Sequence, residues 1–202
     1  MIKRMLLRGA PRSGTHLATQ WLIEKHFPMV DLDTTRRHRL VDFGALDSDT
    51  TILACIKHPM SWLVSMHRFV LMSATEGPVV VDGIRYQSEI EFPRFVEKNP
   101  VLFDYWNVAN LNWRCLGAIF VNYERVVGFP ADTVVRVGED LDLPIPREIT
   151  ELPEFTLQGG KPMNFAYYRE EHWRKVYDLG TWWAARDSLD PRLTFDFDLT
   201  WR

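Results

Sequence analysis

The residues with the clearest chemical content are Gly9-Ala10-Pro11-Arg12-Ser13-Gly14-Thr15, followed directly by His16. They lie between an apolar stretch, Ile2 to Leu7, and a stretch carrying Leu17, Trp21 and Leu22 at helical spacing. A glycine-bearing turn from a strand into a helix exposes backbone N–H groups at the positive end of the helix dipole, a ready seat for a phosphate or sulfate group. Gly9 and Gly14 have the GxxxxG spacing of a Walker A loop, but Thr15-His16 replaces its Lys-Ser/Thr, so an ordinary ATPase or GTPase is disfavoured. The cation, Arg12, sits inside the loop instead, where its planar fork can hold two oxygens of one anion. The plainer alternative is a tight turn with a surface arginine.

The elements that must carry this loop can be read along the chain. Ile2 to Leu7 is a strand and about His16 to His26 a helix, with a second strand at Phe27 to Leu32. Thr50 to Ile56 is a continuous apolar strand of the kind buried on both faces of a parallel sheet, and Pro59 opens a helix through about Met72. Two β-prone runs around Asp82-Gly83 predict a hairpin inserted at about 76–90. Helices are expected at Phe92 to Glu97, Phe103 to Cys115 and Ala131 to Leu141, with a strand at Ala118 to Tyr123. Beyond Leu152 the chain is rich in Pro, Gly and aromatics, with one helix expected at about Tyr167 to Tyr177. The alternation predicts a single α/β domain over 1–202, a three-layer α/β/α sandwich around a mainly parallel sheet.

Composition narrows the class. Hydrophobic residues at 46% and charged residues at 25% fit a globular chain that folds, not a disordered or low-complexity one. A net charge of −3 leaves no global basic field for a nucleic-acid backbone, so phosphate must be bound locally. The apolar run Met5-Leu6-Leu7 is cut short by Arg8, so neither a signal peptide nor a membrane span is expected and the compartment is read as cytoplasmic. Cys55 and Cys115 lack CxxC or histidine spacing and are read as buried thiols. Asp31-x-Asp33 lacks the continuation of a calcium loop, so metal-free chemistry is expected.

Pro11-Arg12-Ser13-Gly14-Thr15 resembles the Pro-(Lys/Arg)-Ser-Gly-Thr loop of the sulfotransferases that use 3′-phosphoadenosine 5′-phosphosulfate (PAPS) and release 3′,5′-adenosine diphosphate (PAP). Lys57-His58-Pro59, with Ser65 eight residues beyond Lys57, is similar to that family's Arg-(Asp/Asn)-Pro…Ser element, whose basic residue and serine bind the 3′-phosphate. A cation at a strand's carboxyl end and a hydroxyl on the next helix can converge on one dianion. The lysine departs from the usual arginine and lacks its fork. Val121-Asn122-Tyr123-Glu124-Arg125 resembles the family's strand ending in Tyr-Glu-Asp/Asn, which would set Tyr123 beside the adenine; a core tyrosine is the alternative. The resemblance runs in order over roughly the first 145 residues and then fades, leaving Gln158-Gly159-Gly160-Lys161 as an echo of the closing loop, with Lys161 as a cofactor contact. It implies the P-loop-like sulfotransferase fold and a nucleotide-binding transferase with Pro11, Arg12, Ser13, Gly14, Thr15 and His16 around the phosphosulfate.

Such a transfer needs a base at the acceptor hydroxyl or amine. Arg36-Arg37-His38 resembles the Lys-Thr-His run of cytosolic members, making His38 the base and placing Arg36 near the transferring group. Neighbouring arginines favour the neutral imidazole a base requires. The alternative is a solvated charge cluster, with Asp33 and Glu89 as substitute carboxylates. The acceptor is a small molecule or glycan, and the region from Ser73 to Asn112 is expected on its side. There Trp106 could be a substrate platform, but Trp106 and Trp113, seven residues apart, also suit the core face of one helix. Two rival functions remain: a small-molecule kinase using ATP and Mg²⁺ on a similar loop, and a nucleotide-binding protein of the same fold without turnover.

Overall fold

A computed structural model describes residues 3–35, 37–42, 44, 46–47, 49–74, 78–81, 83–153, 165–194 and 197–201. The central sheet holds four parallel strands, β1 (Lys3–Gly9), β2 (Val30–Asp33), β3 (Thr51–Ile56) and, after a hairpin described below, β6 (Ile119–Asn122), in the order β2-β1-β3-β6. Leu7 lies opposite Leu53 and Cys55 opposite Val121, so the two-residue period puts Met5, Leu7, Leu53, Cys55 and Val121 on one face. That face buries against helix α1 (residues 15–26), through Leu17, Trp21 and Leu22, and against α6 (Pro130–Asp140), through Val134 and Val137. On the opposite face Ile56 packs with Trp62 and Leu63 of α2 (Pro59–Ser73), while Ile52 and Ala54 meet Ala109 and Trp113 of α4 (Val101–Cys115). Helices on both faces of a parallel sheet are the α/β architecture expected, and they explain why β3 is apolar without alternation.

The strand order positions the site. The chain leaves β1 for β2 on one side, then returns to β3 on the other, so connections diverge from the carboxyl ends of β1 and β3. Ligands of open α/β sheets bind in the crevice such a reversal opens. Gly9 ends β1 and Lys57 follows β3, which puts the loop and the Lys57 segment at that crevice.

The hairpin forms as β4 (Val79–Val81) and β5 (Ile84–Tyr86), antiparallel and separate from the main sheet; Asp82 lies outside the described residues, and Gly83 supplies the positive φ of the turn. Helix α3 (Phe92–Lys98) follows. Several boundaries differ from the sequence reading. Strand β2 starts at Val30 rather than Phe27, because Phe27 N–H still bonds Ile23 and Val30 N–H bonds Phe27 O, a turn that uses residues 27–29 to end α1. Strand β6 stops at Asn122, whose side chain accepts the Arg125 N–H at 3.0 Å and starts an unforeseen helix α5 (Tyr123–Gly128). The helix expected over 167–177 is split by Glu171 at φ 53° into α7 (Phe165–Arg169) and a 3₁₀ turn (His172–Val176). Two further helices, α8 (Leu179–Asp187, capped by Asp178) and α9 (Pro191–Thr194), fold a tail read as irregular, burying Trp182, Ala185 and Leu193. Cys55 is buried, its thiol pushed up to about 12 by desolvation, but Cys115 is exposed at the last turn of α4, which corrects the reading of both as buried. Among the described residues, no helix is long and apolar enough to cross a membrane.

Candidate functional site

The loop between β1 and α1 is closed by its own hydrogen bonds. Ser13 donates to Ala10 O through both its N–H (3.0 Å) and its hydroxyl (2.6 Å), and Trp62 Nε1 donates to Pro11 O at 2.6 Å. The Ser13 hydroxyl is therefore spent on the turn. The N–H groups of Thr15, His16 and Leu17, in the first turn of α1, precede the first intrahelical bond, from Ala18 N–H to Gly14 O at 3.0 Å. Arg12 holds φ 67°, unusual for a residue with a side chain, and its exposed guanidinium lies 5.4 Å from the Phe69 ring centroid.

Both glycines are required by close approach. A Cβ on Gly9 would sit 2.7 Å from Ser13 Oγ and Thr15 Cγ2, and one on Gly14 would sit 2.4 Å from Tyr123 Cδ2 in a backbone at φ 91°. Gly14→Ala meets a left-handed penalty of about 1–2 kcal/mol and an overpacking penalty of about 1–3 kcal/mol. The variant is expected to melt roughly 5–15 °C lower in differential scanning calorimetry. A melting temperature equal to wild type would refute this packing of Tyr123 on the loop.

On the β2 side, residues 37 and 38 clamp the end of β1. Gly9 N–H bonds Arg37 O at 2.9 Å, and His38 Nδ1 donates to Gly9 O at 2.6 Å. A nitrogen that donates to a carbonyl carries the proton, so His38 is the Nδ1–H tautomer with its lone pair on Nε2. Arg37 bridges two imidazoles, its Nε donating to His38 Nε2 (3.3 Å) and its Nη2 to His16 Nε2 (2.9 Å). Burial, then the charges of Arg37, His38 and Arg12, hold the His16 pKa below its ordinary value. Tyr105 donates to His38 O at 2.7 Å, fixing this segment to α4. The substitute bases are committed elsewhere. Asp33 has its pKa lowered by a Thr35 side-chain hydrogen bond and by the Thr35 N–H it accepts at 2.7 Å, and Glu89 is ion-paired with Lys98.

On the β3 side, Lys57 is 2% exposed and donates to Ser65 Oγ at 2.6 Å, an eight-residue separation closed by the first two turns of α2. Its ammonium faces the Tyr123 ring at 4.5 Å and the Tyr168 ring at 3.6 Å, and Ser65 Oγ shares a hydrogen bond with the Tyr168 hydroxyl at 2.9 Å. Burial pushes the Lys57 pKa down, against Tyr168 and Glu124, which support the charge. Burial raises the Tyr168 phenol, but Lys57 and the bonds from Ser65 and Lys57 outweigh it and leave it below the ordinary value. Glu124 accepts the His58 N–H (3.0 Å) and the Ser61 hydroxyl (2.9 Å), tying α5 to the start of α2; burial raises its pKa against the pull of Lys57. His58 caps α2, its Nδ1 accepting the Met60 N–H at 3.2 Å, and its Nε2–H bonds Asp198 O at 3.1 Å.

The sequence-selected residues thus form one continuous row. His38 bonds Gly9, the loop runs through Pro11, Arg12 and Ser13 to Gly14, Gly14 packs on Tyr123, and Tyr123 faces Lys57, which bonds Ser65. Arg36 and Lys161 lie outside the described residues. Trp106, 1% exposed in the core cluster with Leu102 and Phe103, has no surface to offer a substrate, and Trp113 is buried too, so burial supports the core-face reading of both. Sequence reasoning missed Tyr168 and the bridging role of Arg37, which has no motif beyond its adjacency to His38. A cleft of about 1250 Å³ opens beside β6, its lining including Ile56, His58, Glu124 and Tyr168. No protein-family model matches the chain, and no curated protein matches it in sequence.

Proposed function

We propose that the protein is a sulfotransferase with the P-loop-like sulfotransferase fold, moving a sulfuryl group from PAPS to a hydroxyl or amine of a small molecule or glycan. The observation that carries this reading is the pairing of two anion seats on adjacent strands: the helix-start loop after β1 and the buried Lys57–Ser65 pair after β3, with Tyr123 against both. A nucleotide phosphorylated at both its 5′ and 3′ positions presents two such anions, and a purine between them suits a tyrosine face. A buried ammonium bonded to a hydroxyl and held over aromatic rings, rather than bonded to a carboxylate, fits an incoming dianion.

The donor supplies the activated sulfuryl group. The residues of the chain would do the rest. Arg12 and the first-turn amides of α1 oppose the charge that grows on the 5′-phosphate side, a task suited to preorganised donors. His38, held as the Nδ1–H tautomer by Gly9 O, would take the acceptor's proton at Nε2 once Arg37 Nε, which donates to that nitrogen, turns away, and burial together with the Arg37 charge holds the His16 pKa below its ordinary value. Lys57 and Ser65 hold the 3′-phosphate.

Thermal unfolding with PAP, with ATP plus Mg²⁺ as comparison, tests the reading. At ~100 times its dissociation constant a ligand adds about 2.7 kcal/mol, a rise of roughly 5–11 °C for a chain of this size. A rise with PAP is expected. A rise with ATP and Mg²⁺ alone would replace this reading with the kinase, and none with either would end it.

A further inference from the structure

We propose that Tyr168 is an internal competitor for the anion seat on Lys57 and Ser65, so that a phosphate group enters that seat only when the Tyr168 side chain leaves it. The inference rests on the reading of Lys57 and Ser65 as the 3′-phosphate site. Two contacts and one burial carry it. The Tyr168 ring lies 3.6 Å from the ammonium, its hydroxyl is 2.9 Å from Ser65 Oγ, and Lys57 is 2% exposed, so the two groups that would bind a phosphate are both engaged by one phenol in a buried setting that Tyr123 shares.

The phenol copies the chemistry of the ligand it excludes. A π face is a weak counter-charge and a phenol oxygen a weak acceptor, so together they satisfy a buried ammonium that would otherwise be left unpaired at high cost. A phosphate dianion offers a stronger partner to the same two groups and can displace them. Tyr168 is carried by α7, a five-residue helix, and packs edge-on against Tyr123 at 5.3 Å and Tyr167 at 5.2 Å. Arg68 of α2 lies 4.0 Å over the Tyr167 ring, and Phe165 and Tyr168 pack on the core beneath, so α7 is held by side-chain packing in which the Tyr168 ring is one of several contacts.

The consequence is an affinity reduced by the fraction of molecules in which the seat is open. With an open state populated at about 10% or less, removing the competitor tightens PAP at least about tenfold. A nucleotide without the 3′-phosphate, AMP, does not contest the seat and gains nothing. Isothermal titration of PAP and AMP into wild type, Tyr168→Ala and Tyr168→Phe, with circular dichroism to confirm folding, decides the matter. PAP affinity is expected to rise at least tenfold in Tyr168→Ala, to rise less in Tyr168→Phe, which keeps the ring, and AMP affinity is expected to stay level. Should Tyr168→Ala fail to fold, the rise in Tyr168→Phe alone carries the test. PAP bound by all three with equal or weaker affinity in the variants overturns the competitor and leaves the site assignment standing; PAP bound by none overturns both.

Discussion

Replacing Lys57 by methionine is expected to weaken PAP binding by about two to three orders of magnitude while leaving the fold as stable as wild type or more so. The two halves of this result have one cause. Lys57 is buried with no hydrogen-bonded carboxylate among the described residues, and burial already disfavours its charged form. A methionine of similar length removes the ammonium, relieves that penalty and keeps the packing against Tyr123 and Tyr168, while Glu124, whose pKa burial already raises, can take up a proton when the pull of Lys57 is gone and keep its bonds from His58 N–H and Ser61. For a ligand phosphate the same change deletes a desolvated cation from a hydrogen-bonded pair, an effect of about 2–5 kcal/mol. A structural lysine would behave in the opposite way, with stability falling and binding unaffected. Titration calorimetry with PAP and a thermal melt of Lys57→Met measure both; affinity within about threefold of wild type would remove the 3′-phosphate role of Lys57.

The second large effect is a pH dependence that owes nothing to the functional reading. His58 is buried between α2 and the C-terminal segment, against the rings of Trp173 and Phe197, and desolvation lowers its pKa from 6.5 to about 4. Its capping role requires the neutral form, since Nδ1 accepts from Met60 while Nε2–H donates to Asp198. Above pH 6.5 the ring is neutral in the folded and unfolded chain alike, and the contribution is complete. Between pH 6.5 and 4 the unfolded chain takes up a proton that the folded chain refuses, so stability falls as pH falls, by about 2–3 kcal/mol between pH 7 and pH 4.5. His16 and His67 are lowered too and add to the fall in the same sense, so the measurement is a difference. Urea unfolding at both pH values, for wild type and for His58→Asn, should show the variant losing less stability by that amount. Equal losses in the two proteins would mean that His58 is protonated in the native state.

The loop was legible because its geometry is local. Gly9 and Gly14, the serine between them and the strand and helix on either side act within eight residues, where φ preference and hydrogen-bonding reach are set by residue type. The Lys57–Ser65 pair was legible for the same reason: eight residues across a strand end and two helical turns leave little freedom. Boundaries failed where a side chain capped an element early, as Asn122 did, or where one residue such as Glu171 took a left-handed conformation.

Residue types and short spacings alone were enough to establish an α/β chain, a glycine-bearing loop at the head of its first helix and a basic residue paired with a hydroxyl after β3. Only the tertiary structure brought Tyr168 to Ser65 across 103 residues, turned Arg37 onto both His16 and His38, and buried Trp106 in the core. Contacts of that kind follow from which helix faces find each other over the sheet. That choice is made by the summed burial of many side chains, and no single residue or neighbour pair encodes it.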